Sequence, residues 1–228
     1  MSVKKPNSMA VTVMLLLALG WPDRSARAAE LWIGAATADI TPDRPIPLTG
    51  GTSVRIAREV LSRLTANVLA LESRDGQRIL DQAILVSCDL CVIRPGIQEG
   101  FRKHLAGRLP GVDLNKLFLA AAHTHDAPVL QQDRYDEKDY GDTMQPKEYV
   151  PWLYQRMGDA VVNAWKSRSV GAVAWGLGHV VAGHNRRVAY SDGTAKMHGN
   201  TNDPQFRQIE GYEDHALHLL CFYDCQKR

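Results

Sequence analysis

The stretch Leu117-Phe118-Leu119-Ala120-Ala121-Ala122-His123-Thr124-His125-Asp126-Ala127-Pro128 constrains the fold most. Leu, Phe and Ala fill both faces of its first half with no polar interruption, which reads as a buried central strand over roughly 116–125. Pro128 cannot continue an interior ladder, so the strand is expected to stop near His125. His123 and His125 are two apart, so on a strand they point the same way. Two neutral imidazoles on one face at the mouth of a strand can bind Zn²⁺. Alternatively, one binds metal while the other handles charge beside it.

Around that strand the sequence alternates between two periodicities. Residues 31–40 read as a strand stopped by Thr41-Pro42-Asp43. Residues 64–72 alternate with Leu64, Ala66, Val68 and Ala70 on one face, and Asp75-Gly76 predicts a hairpin turn. The partner strand, 78–90, ends in the near-continuous run Ala83-Ile84-Leu85-Val86-Ser87-Cys88, which predicts burial on both faces. Pro95 starts a helix carrying Ile97, Phe101, Leu105 and Leu109 at helical spacing. A second helix is expected over 151–166, with Leu153, Met157, Ala160, Val161 and Ala164 facing inward. Between them, 126–146 is a long polar loop of the kind that forms lids or binding loops. Strands follow at 170–181 and 214–224. The fold class is therefore α/β: a mixed sheet layered with helices.

Residues 1–28 read as a signal peptide: Lys4 and Lys5, an apolar run from Met9 to Trp21, then Ala26-Arg27-Ala28 before a mature start at Ala29 or Glu30. No later stretch suits a transmembrane span, so a secreted or periplasmic domain over 29–228 is expected. Without the leader the chain holds 23 basic and 24 acidic residues, a net −1, which argues against nucleic acid as a partner. Cys88-Asp89-Leu90-Cys91 resembles a CxxC motif. As a continuing strand it would set the two thiols on opposite faces, roughly 10 Å apart, too far for a direct disulfide. A bridge to Cys221 or Cys225 and free buried thiols remain equal alternatives.

Four blocks occur in an informative order: Gly34-Ala35-Ala36-Thr37-Ala38-Asp39-Ile40-Thr41-Pro42, then Val86-Ser87-Cys88-Asp89-Leu90, then Ala122-His123-Thr124-His125-Asp126-Ala127-Pro128, then Asn185-Arg186. This order resembles the N-terminal catalytic domain of the neutral/alkaline non-lysosomal ceramidases, over about residues 31–224. The resemblance implies a zinc-dependent amidase acting on N-acyl bonds of ceramide-like lipids. It implies His123 as zinc ligand, His125 and Arg186 as stabilisers of the developing oxyanion, and Asn185 and Asp126 at the substrate. The family's remaining zinc ligands have no counterpart here, so the resemblance also implies a truncated domain completed by a missing C-terminal half or a second chain. Amide hydrolysis does need an activated water and a stabilised tetrahedral oxyanion, which a zinc ion and a fixed cation supply.

Two other readings fit the same residues. One is a non-catalytic remnant or binding module of this fold. The other is a different metal hydrolase, its site completed locally by His184 or His215. Asp89 is expected to orient backbone rather than ligate. Cys91 as a nucleophile with His125 is the weakest option, because its strand context favours a core thiol.

Overall fold

The computed structural model describes residues 29–225, so the leader expected at 1–28 lies outside the described residues. The chain divides into two compact units, one running to Val170 and one beginning at Gly171. Among the described residues no helix is long and apolar enough to cross a membrane.

The first unit is built on four strands. β1 (Glu30–Asp39), β4 (Thr65–Asp75) and β5 (Arg78–Cys88) are antiparallel neighbours, and β6 (Leu117–Ala121) lies parallel to β5 at the end of the order. The sheet is mixed and carries helices, as the sequence pattern required. The hairpin falls where Asp75-Gly76 put it: Asp75 pairs with Arg78, and Gly76 takes φ 60°. Short strands β2 (Ile46–Leu48) and β3 (Arg55–Ala57), which the sequence pattern did not announce, form a separate ladder.

Helix α1 (Pro95–Leu105) starts on its proline and buries Ile97, Phe101 and Leu105; Leu109 is buried just beyond it. Helix α2 runs Pro146–Lys166, five residues earlier than expected. The start is set by Gln145 and Glu148, which bond each other's backbone in a capping box, and Pro146 occupies the first turn. Pro151 is thereby carried inside the helix rather than beginning it. The inner face is the expected one: Leu153, Met157, Ala160, Val161 and Ala164 are all buried, together with Tyr149. The helix rests directly on β1 at Gly34, where a Cβ would stand 1.9 Å from Ala164 O. Tyr149 is locked by an O–H bond of 2.6 Å to Ile40 O.

Two sequence expectations need correction. β5 and β6 are covered on one face only: Ile84, Val86 and Leu117 are buried, whereas Leu85 and Phe118 are exposed. An unbroken apolar run therefore did not mean two covered faces here. The strand expected over 116–125 also ends early, at Ala121, and lies beside β5 alone within this unit rather than at its centre. The reason is the backbone of His123, which turns into the left-handed region at φ 63°.

The second unit consists of a long antiparallel pair, β7 (Ser169–His179) with β11 (Ala216–Asp224), and a three-stranded sheet ordered β10 (Phe206–Ile209), β8 (Arg187–Tyr190), β9 (Ala195–Met197). The turn between β8 and β9 is closed by Asp192 Oδ1, which accepts from Thr194 N–H at 2.8 Å.

Candidate metal centre

The site grows from the way two strands end. β5 stops at Cys88, and the chain tightens at once: Leu90 N–H donates to Cys88 O at 2.8 Å. Asp89 fastens this turn, accepting from Thr65 N–H and from its hydroxyl, each at 2.8 Å. That is the orienting role expected of Asp89. The CxxC segment therefore leaves the strand, contrary to the sequence reading, and the Cys91 side chain is turned inward and buried. All four cysteines are free thiols.

β6 exits against that turn. Ala122 N–H donates to Cys88 O at 2.9 Å and His123 N–H to Leu90 O at 3.0 Å. These two bonds hold His123 in a conformation that costs a non-glycine residue about 1–3 kcal/mol. Its ring is fixed as well, with Nδ1 2.7 Å from Cys91 O. A carbonyl only accepts, so Nδ1 carries the proton and Nε2 keeps its lone pair. That lone pair faces His125 Nε2 at 3.4 Å, the two rings standing edge to face with centroids 4.9 Å apart.

His125 is placed by a different strand pair. Ala127 O accepts from Thr49 N–H at 3.0 Å and Val129 N–H donates to Pro47 O at 2.9 Å, so 127–129 run beside β2. Gly50, at φ 103°, passes so close that a Cβ there would lie 2.5 Å from His125 Cγ. Only glycine suits both the angle and the gap. Arg134 Nη2 and the Tyr135 hydroxyl both donate to Gly51 O, at 3.1 and 2.9 Å, so the polar loop braces the glycine pair.

His123, His125 and Cys91 line one pocket of about 300 Å³, together with Arg94, Ile97 and Arg134. Thr124 and Asp126 line a second, larger hollow of about 620 Å³, walled by Ile46, Leu48, Ile56, Val60 and Leu61. The two-residue alternation of the His-Thr-His block thus survives beyond the end of the strand. Asp126 pairs with Arg55 Nη1 at 2.8 Å, and Arg55 also donates to His125 O. Cys91, His123 and His125 each offer a ligand atom, all within 4.8 Å of one another, and together they could hold a metal ion.

No protein-family model matches the chain, and no curated protein does. Solved structures do. Neutral ceramidase from Pseudomonas aeruginosa superimposes with a TM-score of 0.63 at 17% identity, covering 88% of this chain and 30% of that one. A ceramidase complexed with C2 gives 0.63 at 19% identity, covering 87% and 29%. The fold is ceramidase-like. The chain spans under a third of the length of these ceramidase structures.

Asn185 and Arg186 belong to the second unit of this ceramidase-like fold. Asn185 is knitted into backbone: its N–H donates to Glu213 Oε1 at 2.6 Å and its side-chain amide to Glu210 O. Arg186 is exposed, and its carbonyl accepts from His198 N–H at 2.8 Å. His184 and His215, offered by the sequence as extra ligands, both sit on Glu213 Oε2, at 3.7 and 3.1 Å. The bond from Asn185 N–H, then the one from His215, holds the Glu213 carboxyl below its ordinary range. Four residues of the first pocket were missed in the sequence: Gly50, Cys91 as a ligand, Arg94 and Arg134. The Gly50-Gly51 pair and the CxxC spacing were visible, but nothing local ties either to His125 or His123.

Proposed function

We propose that this chain carries the metal-bearing part of an exported, zinc-dependent amide hydrolase that cleaves N-acyl bonds of ceramide-like lipids. The observation that carries the reading is the pair of facing imidazole nitrogens, 3.4 Å apart beside a left-handed turn where the sheet ends. The ceramidase-like fold supports the substrate class.

When bound, Zn²⁺ acts as a Lewis acid and brings the pKa of a coordinated water to about 7. His123 would hold the cation through a ring nitrogen, Nδ1 lying 2.7 Å from the Cys91 carbonyl. His125 stands at the edge of that position, within reach of charge developing on a substrate oxygen. Fixed donors of this kind stabilise an oxyanion without reorganising at the moment of reaction. The larger hollow beside Asp126, with Ile56, Val60 and Leu61 as well as Arg58 and Glu59 on its wall, receives an acyl chain.

The test is to measure zinc per chain by mass spectrometry and hydrolysis of a fluorescent short-chain ceramide. One zinc per wild-type chain, its loss in His123→Ala, and zinc-dependent release of the fluorescent acid are expected. A chain that holds one zinc and leaves the ceramide analogue intact would be a binding module, and the hydrolase reading would fall.

A further inference from the structure

A thiol stands beside the His123 ring. Cys91 Sγ lies 3.9 Å from the His123 ring at Nδ1, and its ligand atom and those of both histidines fall within 4.8 Å of one another. Two nitrogens bound to one tetrahedral Zn²⁺ at about 2.05 Å each stand about 3.3 Å apart. The observed Nε2 separation is 3.4 Å. Cys91 also supplies the carbonyl that fixes the tautomer of His123, so one residue would act as ligand and as support for a neighbouring ligand. The strained φ of 63° at His123 is held by the same turn that brings Cys91 inward.

Cys88 provides the contrast. It is three residues earlier, packed on Met157 Sδ at 3.7 Å, and burial pushes its thiol up to about 12. It belongs to the core, and the break of β5 after it separates a structural thiol from one aimed at the pocket.

We infer that the Cys91 thiolate and one ring nitrogen each of His123 and His125 form a three-ligand zinc site whose fourth position opens into the pocket carrying Arg94 and Arg134. The inference rests on the metal reading above and changes the part given to His125, which becomes a ligand, while Arg94 and Arg134 on the pocket wall supply positive charge beside the open position. Three protein ligands plus an open position is the arrangement of catalytic zinc, and thiolate with imidazole suits Zn²⁺ over Mg²⁺ or Ca²⁺. On binding, the Cys91 S–H bond breaks, its proton passes to solvent and the sulfur–metal bond forms.

The experiment uses the chain with Cys221→Ser and Cys225→Ser, two exposed thiols removed to clear the background. The chelator-treated protein is titrated with Co²⁺ alone. A near-ultraviolet thiolate-to-cobalt charge-transfer band saturating at one cobalt per chain is expected. Cys91→Ser should lose the band and His125→Ala should weaken cobalt binding by more than about 100-fold, above the range for loss of a merely supporting partner. Because Cys91→Ser touches a buried position, a second measurement uses the unmutated chain: Zn²⁺ should shield Cys91 from alkylation, with peptide mapping to locate the label. Stoichiometric cobalt without the band, or alkylation of Cys91 at the same rate with and without zinc, overturns the inference and leaves a metal on histidine alone. No cobalt binding overturns both the inference and the metal reading. The band without ceramide hydrolysis supports the site and removes only the hydrolase reading.

Discussion

Two clusters of polar side chains in the first unit show opposite designs. At one, Glu72 is 1% exposed on β4, and its carboxylate is met by Arg168 Nη2 at 3.1 Å and by Arg74. Each arginine is stacked in turn on an indole, Arg168 at 3.3 Å from the centroid of Trp165 and Arg74 at 4.3 Å from that of Trp32. One carboxylate faces two guanidiniums and the planar groups are packed, so this cluster joins the sheet to the end of α2. At the other, Cys91, His123 and His125 have backbone carbonyls and one another as partners, on a strained turn that opens into a pocket. A cluster whose opposite charges meet across packed planes holds the fold. One whose lone pairs converge on a shared point is prepared for something else.

Mutation sharpens that difference. The largest expected effect is Glu72→Ala, which leaves Arg168 buried beside Arg74 without its carboxylate. A loss of about 3–5 kcal/mol is expected in urea unfolding, the usual cost of breaking a buried pair. Metal affinity of the molecules still folded should not change. A loss under about 1 kcal/mol would mean the cluster is not structural.

Gly50→Ala comes next. The new methyl must occupy space 2.5 Å from His125 Cγ on a backbone at φ 103°. About 1–3 kcal/mol of stability should go with the left-handed strain. Cobalt binding should weaken at least about 10-fold as His125 is pushed aside, the low end for disturbed ligand support. Unchanged binding would show that His125 is not held by this glycine.

His123→Gly separates the two designs directly. Glycine accepts φ 63° freely, so relief of strain offsets the lost ring contacts, and thermal unfolding of the metal-free chain should stay within about 1 kcal/mol of wild type. Metal binding should vanish. A large destabilisation of the metal-free protein would make His123 a structural residue and erase the contrast with Glu72. The smallest effect is expected for Arg55→Ala. Its pair with Asp126 is solvent-exposed, so less than about 1 kcal/mol should be lost, with no change in cobalt binding.

Much of the scaffold was legible in the residues. Period-two alternation found β4, helical spacing found the inner face of α2, and Asp75-Gly76 found its hairpin. The pairing of His123 with His125 was also legible, although its stated ground was a strand that ends at Ala121. Their alternation persists because the 127–129 segment is pinned in extended form beside β2. The helix start was misread because Pro151 is a stronger local signal than a capping box whose first member, Gln145, is an uncommon cap. Residues 126–146 are ordered as a braced loop with two short 3-10 turns, and Arg134 reaches back to Gly51.

The sequence by itself determined the α/β class, the two helical core faces, the hairpin and the side-by-side imidazoles, because each depends on neighbours a few positions apart. Only the tertiary structure decided that β5 breaks after Cys88, that Cys91 meets His123 across 32 positions, and that Gly50 leaves room for His125. Those contacts depend on the register of strands and on bonds between distant backbones, and side-chain periodicity carries no record of either.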